Sequence, residues 1–163
     1  MNRGEIIIDA IQEAHEVHAA LNSEEELRAQ GGGGVDVFAA IQKYSVPFVF
    51  KPLDKLLGIF LPRPDMGIMI TSERNRAIQR FTAAHELGHF ILNHKVPSFD
   101  DESILRRYAY GDMRYDANET AAGAVASALL IPEWVLEVNA EKHGWNRSSL
   151  LDSRVVYQMS LRI

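Results

Sequence analysis

The stretch from Arg80 to Leu92, RFTAAHELGHFIL, constrains this chain more than any other. It has no proline or turn cluster, and its residues are helix-compatible throughout. Inside it His85 and His89 stand four apart. On an α-helix that spacing leaves two imidazoles about 40° apart around the axis, one turn up. Both can reach a single ion from one face. The apolar neighbours predict that this helix, spanning about Asn75 to His94, is buried and dry. The bland alternative is a core helix whose histidines bond only to backbone or to a carboxylate.

Glu86 lies about 100° round from His85, so it is badly placed as a third ligand on the same helix. It can address a water held on the metal instead. This is the H-E-x-x-H pattern of zinc hydrolases: zinc lowers the pKa of its water to roughly 7, and the glutamate takes the proton as general base. A catalytic zinc wants three protein ligands and one open position. A metzincin would carry a third histidine ten residues after His85 and a glycine at position 92; Lys95 and Leu92 stand there, which excludes that class. His94 is nine residues on, about 180° away if the helix continues, and is expected at an exposed helix end. The other route is a carboxylate from a downstream helix: Glu102, Glu119, Glu133, Glu137 or Glu141. Glu119 is the best placed, because it opens an apolar helix in which Ala121, Ala122, Gly123 and Ala124 permit close packing on the histidine helix. Spacing alone leaves two readings of Glu119 open, metal ligand or reciprocal backbone cap with Asp116.

Composition narrows the class. The chain has 163 residues, 47% hydrophobic and 24% charged, as expected for one globular domain with its own core. It has no cysteine, so disulfides, thiolate metal sites and cysteine nucleophiles are excluded, and a reducing cytoplasm is the expected setting. The formal net charge of −5, with no basic helix, argues against direct nucleic-acid binding. The acidic, amphipathic start is unlike a signal peptide, and no span of a bilayer is expected.

The apolar spacing predicts a helix over about 6–29, with Glu24, Glu25 and Glu26 on a solvated face. Gly31 to Gly34 are expected to form a flexible hinge, and Val35 to Tyr44 a short helix. Strands are predicted at 46–50, 58–61 and 67–71. The segment 95–112 is expected to be irregular. Helices follow over 117–131, from Pro132 to Glu141, and from a cap at Asn146 or Ser148 to Ile163. Helices, a short run of strands, then helices suggest an α+β fold: a helical body with a small, mainly antiparallel three-stranded sheet, all one domain over 1–163.

The string RFTAAHELGHFILNH, followed 30 residues after His89 by ETAAGAVASALLIP, resembles the ImmA/IrrE family of metallopeptidases. Arg80, Phe81, Thr82, Ala84, His85, Glu86 and His89 match the family's first motif. Glu119, Ala122, Ala126, Leu129, Leu130 and Pro132 match its second, with Val125 in place of Phe and Ile131 in place of Met. The resemblance covers about 35–163 and leaves 1–34 outside. It implies a zincin-like helix, with His85, His89 and Glu119 as zinc ligands and Glu86 as catalytic acid/base. It also implies a protein substrate, a helix-turn-helix transcriptional repressor, cut in stress responses or mobile elements. Relatives often carry a histidine at the position of Asn93, here moved to His94, and continue past the last residue with a glycine and another helix. Manganese is an alternative to zinc. The rival reading is a regulatory module that binds a repressor without cutting it; an intact Glu86 leans towards the enzyme.

Other side chains have weaker claims. Tyr108, Tyr110, Tyr115 and His143 are candidates to stabilise an oxyanion, and spacing selects none of them. His15 and His18 are expected to be an exposed pair, with a metal site as the sharper alternative. Arg74, Arg76 and Arg80 precede the histidine pair, and Arg80 is a candidate to orient a carboxylate near the site, with solvated or cap-bonded arginines the commoner case. Trp134 and Trp145 are expected in the core. Of the strands, 67–71 is expected nearest the site, where it would bind substrate by β-addition.

Overall fold

The computed structural model describes residues 2–54, 56–94, 117–146 and 148–160. Helix α1 (Arg3–Leu21) starts at Asn2, whose side chain accepts from the Glu5 backbone while Glu5 reaches back to the Asn2 N–H, a full capping box. It ends at Asn22, which is left-handed with φ 51°, and α2 (Ser23–Gln30) begins at the next residue. The single helix expected over 6–29 is therefore two. Asparagine tolerates the left-handed turn that breaks it, and helical periodicity does not register a one-residue break.

The glycine run, where a hinge was expected, is tied down through Asn139. Gly33 donates its N–H to Asn139 Oδ1 at 3.3 Å and accepts from Asn139 Nδ2 at 3.0 Å. Asn139 is 1% exposed, so these bonds satisfy an otherwise costly buried amide. Gly32 and Gly33, at φ 107° and 128°, take conformations that other residues avoid.

Asp36 caps α3 (Val37–Lys43) by accepting from Phe38 and Ala39. Three strands follow: β1 (Phe48–Lys51), β2 (Gly58–Leu61) and β3 (Gly67–Thr71). Their order is β1-β3-β2, with β2 antiparallel to β3 and β1 parallel to it. The expected α+β architecture holds, with a sheet of mixed sense. Asn75 caps α4 (Arg76–Ile91) by accepting from Ile78, at the residue where the sequence predicted the start.

Beyond the segment 95–116, α5 (Ala117–Leu130) and α6 (Glu133–His143) meet at Pro132, which ends one helix and caps the next. A short 3-10 turn (Ser149–Leu151) and α7 (Ser153–Ser160) follow. Asn146 accepts from Ser148 and Ser149 at that turn, so the expected cap opens a 3-10 turn ahead of the last helix. Glu102, Tyr108, Tyr110, Tyr115 and Asp116 lie outside the described residues.

The main core joins the sheet to the helices. Ile68 and Ile70 of β3 and Phe60 of β2 pack with Ala83, Ala84 and Leu87 of α4 and with Ala126 and Leu129 of α5. A second cluster joins Ile6 and Ala10 of α1 to Ala121 and Val125 of α5. Thus α5 is clasped between α4 and α1. Residues 117–143 hold an 18-residue stretch apolar enough in composition to cross a membrane, with a mean hydropathy of 1.5. Here they form two helices broken before Pro132, and α5 buries its apolar face in the core.

Candidate metal centre

Three side chains converge where α4 meets α5. His85 Nε2 lies 3.1 Å from Glu119 Oε2, His89 Nε2 lies 3.3 Å from Glu119 Oε1, and the two Nε2 atoms are 3.2 Å apart. The donor atoms of all three lie within 4.8 Å of one another. Two imidazole nitrogens and a carboxylate oxygen at such distances repel unless a proton or a cation sits among them. The spacing suits a cation: with bonds of about 2.0 Å, ligands at the corners of a tetrahedron stand roughly 3.3 Å apart. Among the described residues, no other His, Asp and Glu cluster meets this test.

Helix packing brings Glu119 to the histidines. A Cβ on Gly88 would lie 3.0 Å from Ala122 O and 3.1 Å from its Cα, tighter than most side chains pack. The glycine in HELGH and the small residue in α5 together let the two backbones approach. Glu119 sits in the first turn of α5, where the helix dipole favours its charge. Burial opposes ionisation of Glu119, but hydrogen bonds to His85 and His89 outweigh it and hold the carboxyl well below the usual range. Glu102 lies outside the described residues, and Glu133, Glu137 and Glu141 sit on α6; Glu137 pairs with Arg28.

Glu86, next to His85 on α4, lies against β2. A Cβ on Gly58 would clash with Thr82 and lie 2.9 Å from Glu86 Oε1, so the absence of a side chain at 58 makes room for the carboxyl. Burial, offset in part by His89 and by a hydrogen bond from the Phe60 backbone, raises the Glu86 pKa to about 7. A carboxyl that exchanges its proton near neutrality suits acid–base work. Sequence reasoning missed Gly58 and Phe60. The one available signal was a glycine opening a strand, which often marks close approach of another group.

Two further expectations are corrected. The strand 67–71 cannot receive a peptide, because β3 is central and both its edges are paired. The strand beside Glu86 is β2, at an edge of the described sheet. His94 is also not turned away. Helix α4 ends before it: Asn93 takes φ 51°, His94 N–H bonds to His89 O at 2.9 Å, and His94 Nδ1 lies 2.9 Å from His89 Nδ1. The projected 180° assumed a helix that does not continue.

The remaining candidates have other duties. Arg80 donates to Val35 O at 2.9 Å, tying α4 to the segment before α3. Arg76 lies over the Phe38 ring, and Arg74 reaches Glu73 O. His143 stacks on Trp145. His18 is 6% exposed, packs edge-on against Trp134 and bonds to Ala128 O; only His15 of that pair is exposed.

The sequence pattern of the IrrE N-terminal-like domain matches residues 42–160, well over half of the chain. The chain belongs to the ImmA/IrrE family of metallopeptidases. It is also similar to the radiation response metalloprotease IrrE of Deinococcus radiodurans, at 35% identity over 102 residues. That alignment covers 61% of this chain and spans 29% of the relative's length. Family and cluster together imply a divalent metal at His85, His89 and Glu119.

Proposed function

We propose that this chain is a zinc-dependent endopeptidase of the gluzincin type, with His85, His89 and Glu119 as ligands and Glu86 as general base and acid. The observation that carries the reading is the convergence of three deprotonatable donors at tetrahedral spacing, one residue from a carboxyl whose pKa is about 7. Zinc held there supplies Lewis acidity and a water acidified to roughly pKa 7. Glu86 would take a proton from the attacking water as general base and pass it to the leaving amine as general acid. Its hydrogen bond from the Phe60 backbone and the space over Gly58 hold the carboxyl in place for both transfers.

The edge of β2 that no other strand pairs among the described residues would take an extended stretch of the substrate as an added strand. Main-chain pairing of this kind needs a peptide, which fits a protein substrate. We take that substrate to be a helix-turn-helix repressor, met in the cytoplasm, with a role in stress response or mobile-element control. No contact with nucleic acid or membrane is part of the proposal. The test is to incubate the purified protein, with zinc and separately with manganese, with the helix-turn-helix repressor encoded beside its gene. Fragments on a gel, absent with Glu86→Gln, are expected. An uncut repressor that nevertheless co-purifies with the zinc-loaded chain would favour a binding module and overturn the peptidase reading.

A further inference from the structure

We infer that His94 is a positioning residue for His89: its Nδ1 accepts a hydrogen bond from His89 Nδ1–H and so fixes the tautomer that bares His89 Nε2 towards His85 and Glu119. The inference rests on the metal reading above and adds to it a residue outside the motif.

The argument starts at the end of α4. Leu92 caps the helix, and Asn93 is left-handed. Asn93 N–H bonds to Phe90 O at 3.0 Å and His94 N–H to His89 O at 2.9 Å. This paired arrangement is the Schellman motif, which reverses the chain over the last helical turn. The reversal lays the His94 ring against the His89 ring, centroids 5.1 Å apart at 67°, with the two Nδ1 atoms 2.9 Å apart.

A contact of that length between two ring nitrogens needs one proton, so one ring donates and the other accepts. Which ring donates follows from the other nitrogen of His89. Nε2 faces Glu119 Oε1 and His85 Nε2. To offer a lone pair to an ion there, a neutral His89 must carry its proton on Nδ1. His89 is then the donor and His94 the acceptor, with the His94 proton on Nε2. Metal-binding histidines regularly need such an outer partner to hold ring orientation, and losing it commonly weakens metal binding on the order of 10–100-fold. The turn that places the ring is held by backbone bonds, so changing the His94 side chain leaves the turn itself intact.

The test uses the full chain and zinc alone. Zinc affinity is measured by competition with a chelating dye for wild type, His94→Leu and His94→Gln. The expected result is a loss on the order of 10–100-fold for His94→Leu, with most of it recovered by His94→Gln, whose carbonyl can accept the same bond. Equal affinity of wild type and His94→Leu overturns the inference, as does a His94→Gln no better than His94→Leu. Long-range 15N spectra of the unmutated, zinc-loaded chain give a readout that no misfolded variant can blur. They should show His89 protonated on Nδ1 and His94 on Nε2, and a His94 protonated on Nδ1 refutes the assignment. A wild-type chain that takes up no zinc is a separate outcome, in which the metal reading itself fails and this inference falls with it.

Discussion

Replacing Glu86 by Gln should make the metal-free protein more stable at neutral pH while ending its activity. In the fold the Glu86 carboxyl is raised from an ordinary value of 4.5 to about 7, chiefly by burial. Below 4.5 both the folded and the unfolded chain hold the proton, and the wild type and the amide variant should match. Between 4.5 and 7 the unfolded chain releases its proton first, so the folded state binds more protons and stability falls as pH rises. Above 7 the penalty is complete. Each unit is worth about 1.4 kcal/mol, so the full penalty is about 3 kcal/mol. Gln keeps the shape and has no charge to lose. The assay is urea denaturation of chelator-treated wild type and Glu86→Gln from about pH 4 to about pH 8, followed by far-UV circular dichroism. Taking the difference between the two proteins cancels other titrating groups, including His18, whose burial lowers its pKa and gives stability the opposite slope. The gap should open from near zero to about 3 kcal/mol across that window. A gap that stays constant with pH, or one that closes as pH rises, refutes the claim that Glu86 is held protonated by its surroundings.

Gly88→Ala should cost about 1–3 kcal/mol in chemical denaturation, because its methyl meets the Ala122 backbone, and should weaken zinc uptake by moving Glu119 off the histidines. A variant as stable and as zinc-avid as wild type would remove the close-packing argument. Gly58→Ala should leave zinc stoichiometry at one, measured by atomic absorption after dialysis, while slowing peptide cleavage, since its Cβ meets Thr82 and Glu86 first. Glu119→Ala should abolish stoichiometric zinc, and a full equivalent retained would show that the third donor lies elsewhere. Removing residues 1–21 would uncover Ala121 and Val125 on the back of α5; the shortened chain should melt well below wild type in calorimetry, although the matched family region lies at 42–160.

Local chemistry made much of this protein legible. The pair His85 and His89, the helix start at Asn75, the break at Pro132 and the small residues after Glu119 all follow from spacing and backbone preference within a few residues. Those features obey rules that act along the chain, and the helices and strands they define appear close to where they were expected. The break at Asn22 and the reversal at Asn93 escaped the same rules, because a single left-handed residue alters direction without altering hydrophobic period. Projecting His94 along a continuing helix therefore pointed it the wrong way.

Spacing could not decide between Glu119 as a ligand and Glu119 as a backbone cap, since both uses place a carboxylate in the first turn of a helix. The packing of Gly88 on Ala122 brings that carboxylate to the histidines. Strand order is likewise non-local: which strand lies at the edge beside Glu86 depends on how β3 inserts between β1 and β2. The residue types and their period thus determined which helices exist and which donors they carry. Only the tertiary structure decided which donors meet, what surrounds the base and which strand lies beside it, because those are distances between segments far apart in the chain.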